Sequence, residues 1–273
     1  MAKPGCVLVA VCWLWTSEFS GAQESGAGPG GGTAHICLDV PRMLTPRAQA
    51  QRLPVSDPRE ILAGDPAAFI QLLEDARPSP VTPETKRMVL TSLPRQLKPR
   101  AVNARDRAKL AALDPVLRAV ERDAVYDIRV IEIPSATIAI DGRAVILISE
   151  RALALLDADQ LRAAMAHEAA HEYVWEEWER AAKRADWKRV RQLELVCDGI
   201  AVVILQRLGL ETSSLIQAFE KLTRWNLLWL GSPPNPSTYP TLAERREFTR
   251  QVAAWMTGLS RKDASGRGVP LRR

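Results

Sequence analysis

Apolar and polar positions divide the chain into two helical regions separated by a short β region. In the first, the spacing of Ile61, Phe69 and Leu73 behind Asp57-Pro58 is typical of short amphipathic helices, because an aspartate cap and a proline favour a helix start. The predicted helices of this region begin near residues 58 and 82 and span residues 103–123, with a break at Asp114-Pro115.

The pattern changes at residues 128–149. Residues 128–140 are rich in β-branched side chains, residues 143–149 form a second such run, and Asp141-Gly142 between them favours a two-residue turn. Pro134 has no backbone N–H to donate, which implies a bulge or an open edge in its strand. The sequence therefore predicts a β-hairpin.

A second helical region follows the hairpin. Asp157 with Gln160 three residues later forms a capping pair, Gly209 is a helix stop, and Thr241 with Glu244 forms another capping box. The predicted helices span residues 157–183, 187–208, 213–230 and 241–259. The expected fold class is α+β, dominated by helices, with a small hairpin or sheet beside the first of these helices.

The first 57 residues differ in composition from the rest. Lys3, an apolar run at residues 6–16 and small residues at 20–22 have the layout of a cleavable export signal. The run is well under the roughly 20 residues needed to span a bilayer, so a retained membrane anchor is the less favoured alternative. The predicted divisions are a signal peptide at 1–22, a flexible Gly- and Pro-rich leader at 23–57, a folded domain at 58–259 and a disordered basic tail at 260–273. We therefore expect an exported protein, periplasmic or secreted, which contacts a membrane only if the N-terminal segment stays uncleaved.

Charge and cysteine content restrict the partners further. The 37 Lys and Arg against 32 Asp and Glu give a net charge of +5, but they are spread along the chain without the basic block of a nucleic-acid groove. We expect no nucleic-acid partner. Cys6 and Cys12 fall in the signal, which leaves Cys37 and Cys197. A single disulfide or a small buried thiol at Cys197 are both compatible with these positions.

The helix predicted at 157–183 contains the sequence His167-Glu168-Ala169-Ala170-His171. Residues four apart lie on one face of an α-helix, so both imidazoles can bind one metal ion. Glu168 lies one step around the helix, outside the first coordination shell but within reach of a metal-bound water whose proton it can accept. The spacing predicts a catalytic metal site.

A catalytic zinc site needs a third protein ligand and an open position for water. Glu194 and Asp198 stand four residues apart within an apolar run of the next helix. Buried carboxylates need a positive partner, and a metal supplies one. Glu194 is thus the predicted third ligand, and Asp198 is predicted to accept a hydrogen bond from the outer nitrogen of one histidine. The alternative is a carboxylate pair bound by Arg191 or Arg207.

These residues resemble the gluzincin metallopeptidases, in which a helical H-E-x-x-H is completed by E-x-x-x-D on a later helix. The hairpin and the segment leading into the motif further resemble the HtpX-type and CAAX-prenyl-type zinc endopeptidases, over residues 128–250. The resemblance implies a zincin-like catalytic domain, one Zn²⁺ per chain and hydrolysis of peptide bonds in a peptide or unfolded protein.

Relatives of that type often carry a His-Pro pair with an arginine six positions after the histidine. This chain has Tyr239-Pro240 followed by Arg245 at the same spacing. The resemblance therefore implies that Arg245 lies next to the metal ligands. Tyr239 is a candidate for stabilising an oxyanion, because a phenol can donate a hydrogen bond, although a tyrosine in a proline-rich loop can also serve simple packing.

The resemblance also implies where substrate lies. An extended peptide would add as a strand to the hairpin edge formed by Arg143, Ala144, Val145, Ile146, Leu147, Ile148 and Ser149. Trp175 and Trp178 extend the face of His171 and either line a pocket or pack the domain. Two alternatives to an enzyme stay open: a zinc-stabilised binding or chaperone-like protein, and a helical interaction protein without metal.

Overall fold

The computed structural model describes residues 57–76, 81–94, 97, 99–231 and 238–263. The predicted signal peptide, the leader as far as residue 56, Cys37 and residues 264–273 of the predicted tail lie outside the described residues. Helices dominate the described residues and a three-stranded sheet accompanies them there, so the predicted α+β class is confirmed.

Between residues 57 and 119, the described segments contain five short helices. Three of them begin with a proline directly after a side-chain cap, supplied by Asp57, Asp65 and Thr82. The predicted break at Asp114-Pro115 is present, because a new helix starts there. The bounds are α1 Pro58–Ala63, α2 Pro66–Asp75, α3 Pro83–Ser92, α4 Ala104–Ala111 and α5 Asp114–Ala119.

The sheet consists of β1 Asp127–Ile131, β2 Ile138–Asp141 and β3 Val145–Ser149, in the order β1-β3-β2. β2 and β3 form the predicted antiparallel hairpin, whereas β1 runs parallel to β3 on its other side. The single strand expected at 128–140 is thus divided in two by the segment that contains Pro134. Gly142 turns the hairpin at φ +53°, and a Cβ there would lie 2.3 Å from Val89 Cγ2, so both the backbone and the space require glycine.

The strand order corrects the predicted substrate edge at Arg143–Ser149. Arg143 and Ala144 belong to the turn, and Val145 to Ser149 form the central strand, whose two edges are already paired with β1 and β2. A substrate cannot add to a strand without a free edge. β2 is the edge strand on the side of the metal-binding motif, because the backbone N–H of Ile140 donates to Glu168 Oε2 across 3.2 Å.

The remaining helices are α6 Glu150–Leu155, α7 Ala158–Lys183, α8 Trp187–Arg207, α9 Ser213–Leu230 and α10 Leu242–Asp263. The starts of α7 to α10 and the ends of α7 to α9 match the prediction closely, and the Asp157 and Gln160 capping box is present at the start of α7. α6 was not predicted. α10 continues four residues beyond its predicted end at 259. α7 and α8 pack along each other, with α9, α10 and β2 around them. Among the described residues, no helix combines the length and apolar content required to cross a membrane.

Candidate metal centre

Three side chains from the paired helices α7 and α8 converge on one point. His167 and His171 lie one helical turn apart on α7, Glu194 faces them from α8, and their ligand atoms all lie within 4.8 Å of one another. His167 Nε2 is 3.4 Å from Glu194 Oε2, and His171 Nε2 is 3.8 Å from Glu194 Oε1. Ligand atoms about 2 Å from a tetrahedral ion lie roughly 3.3 Å apart, so these side chains could hold a metal ion.

The polar atoms of this group support the same conclusion. Nε2 of His167 and Nε2 of His171 are buried and have no hydrogen-bond partner among the described residues. Buried polar atoms without a partner are costly, and a cation between the two imidazoles and the Glu194 carboxylate would satisfy all three. The predicted grouping of His167, His171 and Glu194 is therefore present.

Glu168 lies beside this group and is only 4% exposed. Its Oε2 atom accepts the Ile140 backbone N–H, which fixes the carboxylate against β2. Burial, the largest cause, raises the pKa of Glu168 from 4.5 to about 8. In the absence of metal the carboxyl group is therefore protonated at neutral pH, and a nearby cation would favour its carboxylate form.

Asp198 lies beside the outer nitrogen of His167. Its Oδ1 atom is 2.9 Å from His167 Nδ1, one helical turn after Glu194, but the hydrogen bond predicted between them is not formed, because His167 Nδ1 has no hydrogen-bond partner among the described residues. A carboxylate in this position would favour a proton on Nδ1, which would leave Nε2 to bind a metal.

Arg245 connects the two carboxylates from α10. Its guanidinium donates to Asp198 Oδ1 at 2.6 Å and to Glu194 Oε2 at 3.2 Å, and the residue is fully buried. Arg245 thus lies beside the predicted metal ligands. The two carboxylates are paired with an arginine, as the alternative expected, but this arginine is Arg245, whereas Arg191 bonds to Glu244 and Arg207 to Glu74.

The two histidines have opposite protonation tendencies. Desolvation would lower the pKa of His167, but Asp198 and Glu194 outweigh it and raise that pKa to about 9. Burial lowers the pKa of His171 to about 3, which makes its imidazole neutral at neutral pH. Burial would raise the pKa of Glu194, yet the imidazole of His167 at 3.4 Å and the other nearby cations keep it below its usual range. In the metal-free protein a proton on His167 thus provides positive charge that a metal would otherwise supply.

Cys197 lies against the second histidine. Its Sγ is 3.6 Å from His171 Nδ1, and the residue is completely buried with a free thiol. Burial raises the pKa of Cys197 well above its usual value, so the sulfur is a neutral thiol. This arrangement agrees with the small buried thiol; a bridge to Cys37 involves a residue outside the described ranges.

Trp178 supports Glu194, a role that the sequence did not reveal. Its indole N–H donates to Glu194 Oε1 at 3.0 Å, and its ring meets His171 edge-on with 6.1 Å between centroids. Trp178 therefore packs the domain rather than lining a pocket, and it packs against His171 and Glu194, two of the predicted metal ligands. The available indication was its spacing of seven residues from His171 on the same helix face. Trp175 is partly buried and packs against the main core.

Glu172 is a second residue that sequence reasoning missed. Its buried carboxylate accepts hydrogen bonds from Arg122, Tyr126 and Arg143, with distances of 2.6 to 3.0 Å. Arg143 stands in the β2–β3 turn, so this carboxylate ties the turn to α7 one helical turn after Glu168. The four-residue spacing from Glu168 was the only indication in the sequence. Tyr239 lies half-buried in the segment before α10, and its role in oxyanion stabilisation remains a prediction.

Comparison with known proteins does not identify a family. No family model and no curated protein matches this chain.

Proposed function

We propose that this protein is an exported zinc metalloendopeptidase, periplasmic or secreted, that hydrolyses peptide bonds in peptides or unfolded proteins. The observation that supports the proposal most strongly is the convergence of His167, His171 and Glu194, with Glu168 fixed beside them. Two imidazole nitrogens and one carboxylate with a fourth position for water form a ligand set typical of catalytic zinc.

Each residue of the site has a separate role in the proposed reaction. Zinc bound by the three ligands would supply Lewis acidity to a water molecule and to the substrate carbonyl. Glu168 accepts the proton of the attacking water and later delivers it to the leaving amine. Asp198 and Arg245 keep His167 and Glu194 oriented, and Tyr239 is the candidate donor to the oxyanion.

The strand order makes β2 the candidate for substrate binding in place of β3. β2 pairs with β3 on one side, and its Ile140 N–H points from the other side to Glu168. Ile138, Ala139 and Ile140 are buried and the Ile140 N–H is already bound to Glu168, so a peptide would pair along β2 only after this edge opens. It would then approach the general base, and backbone pairing of this kind accepts many sequences. We therefore propose broad specificity.

One observation favours a second candidate function. The side chains of His167, His171 and Glu194 are almost completely closed to solvent, with exposures of 0–1%. A peptide reaches them only if the residues that cover them move. A closed site is typical of structural metals, which suits a zinc-stabilised binding or chaperone-like protein that does not cut its clients.

Hydrolysis of unfolded casein, measured with and without a chelator, separates the two functions. Glu168→Gln is expected to retain about one zinc per chain and lose hydrolysis, because the amide cannot accept the proton. The matched control is Glu179→Gln, on the same helix, which removes only a partly exposed pair with Lys183 and should leave activity intact. Wild-type zinc binding without casein cleavage would favour the binding protein, and a purified chain without metal would rule out both.

A further inference from the structure

The last turn of α9 exposes large apolar side chains. Leu227, Leu228 and Trp229 are 49%, 68% and 69% exposed. Among the described residues, the other large apolar residue that is exposed is Trp187, at 43%. Three such neighbours on one turn are unusual for a surface, because contiguous apolar patches usually mark a contact site.

The exposed side chains lie on a helix end that hydrogen bonds hold in place. Asn226, 1% exposed, accepts the backbone N–H of Ala136 at 2.8 Å and donates to its carbonyl at 3.0 Å. Trp225 donates its indole N–H to the Pro134 carbonyl at 3.2 Å and stacks on Trp229 with 5.2 Å between ring centroids. The turn is thus fixed to the segment between β1 and β2, and the apolar side chains project from a rigid base.

Two arginines accompany this turn. Arg224 is exposed in the same helix, and the guanidinium of Arg151 lies 5.6 Å from the centre of the Trp225 ring. Neither arginine forms an ion pair with another residue in the described ranges. The nearest carboxylates in sequence have other partners, since Glu220 bonds to Arg246 and Glu150 lies 3.9 Å from Arg100.

We propose that this surface, the α9 tip formed by Trp225, Leu227, Leu228 and Trp229 with Arg151 and Arg224, binds the interface of an anionic phospholipid bilayer. Tryptophan and leucine enter the boundary between headgroups and acyl chains, while arginines bind lipid phosphates. The contact is interfacial and does not need an N-terminal anchor. It is also independent of the proposed peptidase activity.

Two other occupants fit the surface less well. A second copy related by a two-fold axis would place Arg151 and Arg224 close to the same arginines of its partner, and like charges repel. An apolar peptide is usually bound in a groove, whereas Leu228 and Trp229 project from the helix end with two thirds of their surface exposed. A deformable, negatively charged bilayer accepts a protruding cationic and apolar tip.

Fluorescence quenching tests the contact at one residue of the full chain. Vesicles of brominated phosphatidylglycerol should quench tryptophan emission, and Trp229→Leu should reduce the intensity lost to quenching, because bromine quenches only rings that enter the bilayer. Trp187→Leu is the matched control at an exposed tryptophan elsewhere and should leave that intensity unchanged. An N-terminal segment that also binds vesicles contributes equally to all three proteins, so the difference reports Trp229.

A second experiment tests whether binding depends on the charge of the lipid. Arg151→Gln combined with Arg224→Gln should weaken binding to phosphatidylglycerol vesicles by about tenfold or more, and should change binding to brominated phosphatidylcholine little. Equal quenching in wild type and Trp229→Leu would overturn the proposal. A dimer that Leu228→Glu converts to a monomer, with Trp229 unquenched by lipid, would overturn it in favour of self-association.

Discussion

The indole N–H of Trp178 donates to Glu194 Oε1 across 3.0 Å, so the carboxylate proposed as the third metal ligand is held by a neutral donor from α7. Its second oxygen faces Arg245, which approaches from α10. Glu194 is therefore oriented from two different helices before any metal binds, which lowers the entropic cost of forming the site.

Replacing Trp178 should weaken metal binding while preserving the fold. Trp178→Phe keeps the buried ring next to His171 but removes the hydrogen bond to Glu194. Loss of such an outer contact typically costs about tenfold to 100-fold in metal affinity. Competition with a zinc chelator measures the change, and Trp175→Phe serves as the control. Equal affinities in the two variants would show that the indole hydrogen bond does not orient the ligand.

Arg245 should contribute more to the stability of the metal-free protein than to the stability of the zinc-bound protein. Arg245→Met leaves the buried carboxylates of Glu194 and Asp198 without their guanidinium, a loss that typically destabilises by about 3–5 kcal/mol. Zinc would restore part of the missing positive charge. Urea unfolding should therefore show a larger stabilisation by zinc in the variant than in the wild type.

The control for this experiment lies on the same helix. Arg250→Met removes an exposed arginine whose partner in the described part of the chain is Glu247, and the free energy of unfolding should change by less than about 0.5 kcal/mol. A zinc stabilisation identical in wild type and Arg245→Met would contradict a shared role for the arginine and the metal.

The contribution of Glu168 to the stability of the metal-free protein should fall as the pH rises from about 4.5 to about 8, whereas His171, whose pKa is lowered from 6.5 to about 3, acts in the opposite direction up to about pH 6.5. Burial raises the pKa of Glu168 from 4.5 to about 8, so the unfolded chain releases this proton at a lower pH than the folded one. Glu168→Gln imitates the protonated side chain at every pH. The variant should match the wild type near pH 4 and exceed it by more than about 1 kcal/mol near pH 8.

Thermal or urea unfolding in a chelator at several pH values tests this expectation. His167 acts in the same direction at higher pH, because its pKa is raised from 6.5 to about 9 and its contribution is lost as the pH rises through that value. This loss is common to both proteins, so the difference between them reports Glu168. A difference that does not depend on pH would contradict the assignment.

Glu172 should contribute mainly to stability. Its carboxylate pairs with the buried Arg122 and with Arg143, and Glu172→Gln would remove the buried negative charge that both arginines contact. We expect a loss of about 3 kcal/mol in the free energy of unfolding. Glu179→Gln removes an exposed pair on the same helix and should cost less than about 1 kcal/mol. Similar losses in both variants would contradict a central role for Glu172.

The local features of the site were predictable from the sequence. The pairing of His167 with His171 and of Glu194 with Asp198 follows from helix geometry, because residues four apart share a face whatever surrounds them. Capping pairs located the starts of α7 and α10 for the same reason, since capping acts over three residues. The β2–β3 turn was also predictable, because a two-residue turn depends on the adjacent residues Asp141 and Gly142.

The tertiary structure decided which elements face one another. The alternation of β-branched residues does not encode strand order, so β3 could be identified as central only after β1 paired with its other edge. The choice of Arg245 over Arg191 and Arg207, the bond from Trp178 to Glu194 and the cluster around Glu172 all depend on how α7, α8 and α10 cross. Periodicity determines the face that a side chain occupies, and only long-range packing determines what that face meets.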